Sequence, residues 1–206
     1  MIKVLGRENS VNVQKVMWCA AELNLDIDRV DVGGLFGGND TEAFGNMNPN
    51  RTIPVLVEGK FSLWESNSIV RYLCAQHGAP NWSLPDAAAK ARADQWMDWY
   101  LTTLHPPMTV LFWQLVRTAP EARDHAKIDN AIAECTRKWS MLDRHLENQN
   151  YVLGENLSMA DIPVGCAAYR WHCMDFARAE LPNLRRWWDS LVERAPYKTN
   201  VMIPLT

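Results

Sequence analysis

A chain of 206 residues, 48% hydrophobic and 22% charged, has enough apolar mass for one large domain or two smaller ones sharing an interface. Its formal net charge of −3 supplies neither a basic field for nucleic acid nor a polybasic patch for anionic lipid. No apolar run approaches the roughly 18 residues of a membrane span, and Met1 leads straight into Ile2-Lys3-Val4-Leu5 without a signal-peptide pattern, so a cytoplasmic protein with no membrane partner is expected.

The first third alternates between strand and helix. Ile2 to Leu5 reads as a buried strand, Val13, Val16, Ala20 and Leu23 fall at helical spacing, and Ile27 to Val32 reads as a second strand, which together make a β-α-β unit. Gly33-Gly34-Leu35-Phe36-Gly37-Gly38 then interrupts the pattern as a loop expected to border a ligand, and Asp40 or Thr41 can cap a short helix through about Gly45. Pro54 to Val57 and Lys60 to Leu63, joined around Glu58-Gly59, predict a hairpin, and Ser66 to Gln76 a helix stopped near Gly78. The order βαβαββα is that of a thioredoxin-like domain, predicted over residues 1–78.

Residues 79–86 are rich in breakers and predict a linker, after which residues 87–206 are helical in pattern throughout. Asp86 can cap a long helix that bends at Pro106-Pro107 and continues to about Arg117. Glu121 to Asn148 carries Ile128, Ile132, Cys135, Trp139, Leu142 and Leu146 at steps of three and four, and Leu184, Trp187, Trp188 and Leu191 mark a last helix after Pro182. Between them, Ser158-x-x-Asp161 is a capping arrangement with Leu157 and Ile162 placed as a staple. Capping accounts for both polar residues, which makes them structural. The fold class is thus α/β followed by all-α.

The run Asn48-Pro49-Asn50-Arg51-Thr52-Ile53-Pro54-Val55-Leu56, followed by Glu65-Ser66 at a helix start, carries the chemistry. A strand entered at Ile53-Pro54 has proline where its N–H would face outward, and an X-Pro bond can turn cis so that Ile53 presents its backbone to an extended ligand. The Ser66 hydroxyl and the first-turn amides after it offer donors and a positive dipole end to a carboxylate, while Glu65 can accept an ammonium. Together they suit a small peptide with a free amine and a carboxylate at one end, as glutathione has at its γ-glutamyl end.

This run, with Trp64-Glu65-Ser66-Asn67-Ser68-Ile69-Val70-Arg71-Tyr72-Leu73, resembles the glutathione-binding half of cytosolic glutathione S-transferases, and within them the theta- and delta-like members and their bacterial relatives. The Ser158-x-x-Asp161 box is similar to one that opens a central buried helix in the same superfamily, so the resemblance spans nearly the whole chain. It implies that Ile53 pairs its backbone with the cysteinyl unit and that Glu65 and Ser66 hold the γ-glutamyl group. Arg51 stands where delta-like proteins carry a histidine directed at the glycyl carboxylate and related bacterial sequences often have glycine; a guanidinium suits a carboxylate.

A free thiol with pKa near 8.5 is only a few per cent ionised at neutral pH, so a transferase must stabilise the thiolate. The segment Arg7-Glu8-Asn9-Ser10-Val11-Asn12-Val13 supplies donors just before the first helix, and Ser10 occupies the place of the thiolate-binding serine of the theta- and delta-like proteins, with Asn12 as second candidate and helix capping as the rival reading of Ser10. Phe36, His105, Met108, Thr109, Phe112 and Trp113 are the expected lining of an electrophile pocket. The ten tryptophans are expected mostly in the core, with a few at such a pocket. Five scattered cysteines without Cys-x-x-Cys, and five histidines without ligand spacing, predict no disulfide framework and no metal. The expected function is therefore attack of activated glutathione, the co-substrate, on a small hydrophobic electrophile by a homodimer. A glutathione-dependent isomerase or peroxidase, or a non-catalytic interaction module, are the alternatives; serine in place of cysteine counts against disulfide exchange.

Overall fold

A computed structural model describes residues 1–206. The chain forms two compact units, Met1–Pro85 with Ala195–Ile203, and Asp86–Arg194 with Pro204–Thr206. The tail from Ala195 to Ile203 thus belongs with the first unit, although residues 87–206 were expected to form one helical domain. Its short helix explains why: Tyr197 is fully buried and sets its ring edge on Trp18, 4.8 Å between centroids.

In the first unit, β1 (Ile2–Leu5), α1 (Val11–Glu22), β2 (Ile27–Val30), α2 (Glu42–Met47), β3 (Val55–Glu58), β4 (Phe61–Trp64) and α3 (Ser66–His77) follow one another in the predicted order. The hairpin strands start one residue later than predicted. Gly59, at φ +61°, takes the first central position of the two-residue turn that the Glu58–Phe61 pair closes, a place where positive φ is required. The four-stranded sheet has the order β2-β1-β3-β4, with β1 parallel to β2 and antiparallel to β3. Val4, Val55 and Leu56 are completely buried in it, as are Val13 and Val16 of α1 and Ile69, Val70 and Leu73 of α3, which packs on α1.

Register decides where the loops go. Leu5 pairs with Val55 and Val55 with Trp64, so the chain leaving β1, the chain entering β3 and the chain leaving β4 all stand at one end of the sheet. Segments 6–10, 51–54 and 65–66 therefore converge there. Between Pro85 and α3 the expected linker is not extended throughout: α4 (Pro80–Ser83) forms within it, anchored by the buried Trp82.

The second unit is helical. Asp86 accepts a hydrogen bond from the Ala89 amide at 2.8 Å and starts α5 (Ala87–Trp99) as predicted. The single bent helix expected beyond it is instead α5, a π-helical turn over Tyr100–Leu104, α6 (His105–Phe112) and a second π-helical turn over Trp113–Arg117. Pro106 and Pro107 have no N–H to return to the preceding turn, and the wider turn at Tyr100–Leu104 accommodates them. α7 (His125–His145) begins later than the predicted Glu121, because Pro120–Ala122 winds as a 3-10 turn and Asp124 is the cap, accepting from the Lys127 amide at 3.0 Å. α8 (Asp161–Cys173) and α9 (Pro182–Val192) follow, then α10 (Ala195–Asn200), which the sequence reading did not separate from α9. No helix is long and apolar enough to cross a membrane.

The N-cap position of α8 is Ala160, which makes no side-chain cap bond, and Ser158 and Asp161 instead bond to each other. One carboxylate oxygen accepts from the Ser158 amide and hydroxyl, at 3.0 and 2.9 Å, and the other from the Val152 amide and the Trp187 indole, at 2.9 and 3.0 Å. The residue is wholly buried, and it ties the loop before α8 to α9. Burial pushes its carboxyl pKa up, against the downward pull of those four donors.

Candidate active site

Ser10 is the N-cap of α1 by backbone position, at φ −82° and ψ 122°, yet its hydroxyl caps nothing. The half-exposed side chain thus holds its hydroxyl oxygen free of any helix amide, at the loop end of the sheet. Asn12, two residues on, does not cap either. Its carbonyl oxygen accepts from the Lys15 ammonium at 3.0 Å and from the Ser66 hydroxyl at 3.3 Å, and Lys15 also donates to the Ser66 oxygen at 3.4 Å. The start of α1 and the start of α3 are thus joined by a partly buried triangle of Asn12, Lys15 and Ser66.

Lys15 was not among the candidates. Its side chain is wholly buried, and lysine is almost never so unless paired. Only the pairing of α1 with α3 accounts for its burial: it sets a positive charge against the Ser66 hydroxyl.

At Ile53 the peptide to Pro54 is cis. Cβ atoms built at Gly6 and Gly33 would stand 3.3 and 3.4 Å from the Ile53 side chain, so the chain after β1 and the glycine-rich loop after β2 press against this residue. Glu65 is exposed, makes no capping bond and sits at φ +68°, ψ 109°, a conformation costing a non-glycine residue on the order of 1–3 kcal/mol. The following helix, α3, offers the amides of its first turn, which have no acceptor within the helix, next to the buried Ser66.

Arg51 is also left-handed, at φ +54°. Its guanidinium donates to the Thr41 and Asn39 carbonyls at 2.8 and 3.4 Å, and crosses Gly45 so closely that a Cβ there would meet it at 2.6 Å. These contacts brace the loop that enters α2. They explain the positive φ at a position where glycine would sit without strain.

The other candidates are divided between the two units. Phe36 is 60% exposed in the 3-10 turn Gly34–Phe36 of the first unit. In the second unit, Met108 and Phe112 are buried, the latter beneath the Arg170 guanidinium at 4.0 Å, while Trp113 is 59% exposed. His105 is engaged on both nitrogens: Nδ1 lies 3.0 Å from the Tyr100 hydroxyl and Nε2 3.4 Å from the Thr109 hydroxyl, which itself donates to the His105 carbonyl at 2.9 Å. Burial holds the Tyr100 hydroxyl's pKa well above that of a free tyrosine. Four of the five cysteines are buried; Cys173 is exposed. No group of three or more His, Cys, Asp or Glu side chains stands where it could hold a metal ion.

A thioredoxin-like sheet presenting a strained helix start beside a hydroxyl that caps nothing, followed by a helical unit, is the architecture of a glutathione-dependent transferase. Residues 5–81 match the family model of the glutathione S-transferase N-terminal domain, and residues 96–195 that of the C-terminal domain. The chain is 38% identical over 208 residues to glutathione S-transferase GstB of Escherichia coli K12, covering 100% of both proteins. It is 29% identical over 189 residues to glutathione S-transferase D6 of Drosophila melanogaster, covering 91% of this chain and 85% of the other. Its fold matches, with a TM-score of 0.95 and 42% identity over 100% of this chain and 99% of the other, the crystal structure of the theta class glutathione S-transferase from the citrus canker pathogen Xanthomonas axonopodis pv. citri with glutathione bound. The chain belongs to the glutathione S-transferase family.

Proposed function

We propose that this transferase binds glutathione at the loop end of its sheet and activates the thiol as a thiolate for attack on a small hydrophobic electrophile. The carrying observation is the Ser10 hydroxyl, placed at the first turn of α1 and capping nothing. A hydroxyl proton directed at sulfur, with the positive end of the α1 dipole behind it, favours the charged form of the thiol. The Ile53 backbone is assigned to the cysteinyl unit, Glu65 to the γ-glutamyl ammonium, and Ser66 with the first-turn amides of α3 to its carboxylate. Lys15 supports this assignment. The ammonium sets a positive charge 3.4 Å from the Ser66 oxygen, and the single Ser66 proton, which rests on Asn12 at 3.3 Å, would turn to the carboxylate when the ligand binds.

Replacing Ser66 with alanine removes that donor. A hydrogen bond to a charged group is worth about 1.5–3 kcal/mol, so glutathione affinity should fall more than tenfold. Calorimetry on Ser66→Ala, with its melting temperature as a folding control, is the test; wild-type affinity in a folded variant would refute the site. A second expectation concerns assembly. The family resemblance implies a homodimer, and light scattering should give a mass near twice the 23.6 kDa of the chain. A monomer at micromolar concentration contradicts it.

A further inference from the structure

The buried ammonium of Lys15 stands where two helices begin. Lys15 is the fifth residue of α1, and because helical side chains lean toward the N-terminus, its Nζ reaches back to Asn12, the second residue, at 3.0 Å. It also lies 3.4 Å from the hydroxyl oxygen of Ser66, the first residue of α3. Both helices are 12 residues long, and each turns the positive end of its dipole to this place. A cation and two helix N-termini, all of one sign, thus meet at Ser66.

Helix N-termini ordinarily attract acidic side chains, yet the first turns of α1 and α3 contain none. Glu8 and Glu65, which precede the two helices, are both exposed. Burying a lysine also carries a desolvation cost that a buried methionine or leucine does not. The helix itself does not require the charge. Its first turn is closed by the backbone, with the Gln14 amide on the Ser10 carbonyl at 2.9 Å, and the neighbouring Val13 and Val16 are completely buried, so an aliphatic side chain would suit the position.

We propose that Lys15 is a positioning residue for glutathione, whose charge, acting through Ser66 and Asn12, makes the γ-glutamyl site selective for a carboxylate. The proposal rests on the assignment of Ser66 to that carboxylate. A carboxylate taking the Ser66 proton would stand roughly 6 Å from Nζ, the sum of the contact to Ser66 and one further hydrogen bond. Near a protein surface, attraction between unit charges at that separation corresponds to about 10- to 100-fold in affinity. The two helix dipoles add to it.

The test is a cycle between protein and ligand. The S-hexyl derivatives of glutathione and of 4-aminobutanoyl-cysteinyl-glycine, which is glutathione without its γ-glutamyl carboxylate, are titrated calorimetrically into wild type and Lys15→Met. Lys15→Met is expected to bind the glutathione derivative about 10- to 100-fold more weakly and to change the affinity of the analogue by less than about twofold. Lys15→Gln keeps a donor for Asn12 and Ser66 but removes the charge; it should behave as Lys15→Met does, and it replaces that variant should Lys15→Met not fold. The thiolate absorbance of bound glutathione should keep its pH midpoint in both variants, because Ser10 is untouched, whereas a distorted start of α1 would move it. If the analogue escapes detection, the loss for glutathione at an unmoved midpoint decides alone. Wild-type affinity for glutathione in a folded variant, equal losses for the two ligands, or a shifted midpoint would each overturn the proposal. Ser66→Ala keeps the two readings apart: full affinity in that variant refutes the γ-glutamyl assignment itself. Weak binding by Ser66→Ala beside full affinity in Lys15→Met or Lys15→Gln refutes the role of Lys15 alone.

Discussion

Asp161→Ala is expected to be the most destabilising single change in the chain. The substitution leaves four donors without an acceptor, from Val152, Ser158 and Trp187, all of them residues buried to within a few per cent. Each unmet buried donor costs about 1–3 kcal/mol, and because neighbouring losses are not additive the expected total is roughly 3–5 kcal/mol. That is a large share of a domain's typical 5–15 kcal/mol, and it corresponds to a fall in Tm of about 10–15 °C. Asp161→Asn should be nearly as damaging, since its amide nitrogen must face donors on one side or the other. Ser158→Ala provides the contrast, losing only the hydroxyl contact and about 0.5–2 kcal/mol. Urea and thermal melts of the three variants measure the differences. An Asp161→Ala loss no larger than that of Ser158→Ala would mean that the carboxylate acts only through Ser158.

The same residue shows what the sequence could and could not convey. Ser158-x-x-Asp161 is legible because both partners lie within one helical turn. The bonds to Val152 and Trp187 come from chain segments whose approach depends on tertiary packing, so the local reading assigned Asp161 half of its contacts. Thr41 and Asp86 were legible for the same local reason, and each accepts the amide three residues on. Lys15 was not. Between Gln14 and Val16 it reads as one more polar residue on a helix surface, and its burial follows from Ser66, 51 residues away. The tail helix was missed likewise, since Tyr197 finds Trp18 only after the sheet and α1 exist. His105 drew attention beside two prolines. The π-helical turn brings residues five apart to one face, which sets Tyr100 against it, and no regular helical periodicity would place that pair. Ile53-Pro54 and Glu65-Ser66 were readable as a motif, while the +68° φ of Glu65 that marks the helix start as strained was not.

Ser10→Ala is expected to separate chemistry from binding. A hydrogen bond to a charged acceptor is worth about 1.5–3 kcal/mol, and one pKa unit is about 1.4 kcal/mol, so losing the hydroxyl should raise the pKa of bound glutathione's thiol by roughly one to two units. At pH 7 the thiolate fraction and kcat/KM then fall by about 8- to 30-fold, the floor being the few per cent ionisation of a free thiol, with recovery in alkali as the thiol ionises without help. Glutathione affinity should stay near that of the wild type, because the proposed anchors at Ile53, Glu65 and Ser66 are untouched. The melting temperature should also hold, since the hydroxyl makes no capping bond whose loss would cost about 0.5–2 kcal/mol. Thiolate ultraviolet absorbance against pH, the pH profile of kcat/KM, and thermal melts, each on wild type and variant, read the three quantities independently. A lowered Tm with an unmoved thiol pKa would return Ser10 to the role of helix cap. The thiolate donor would then be the Asn12 amide nitrogen or the α1 backbone amides, and Asn12→Ala would distinguish those two by the same titration. Its carbonyl oxygen is already committed to Lys15 and Ser66, so that variant should also loosen the γ-glutamyl site and raise KM for glutathione, which Ser10→Ala should not.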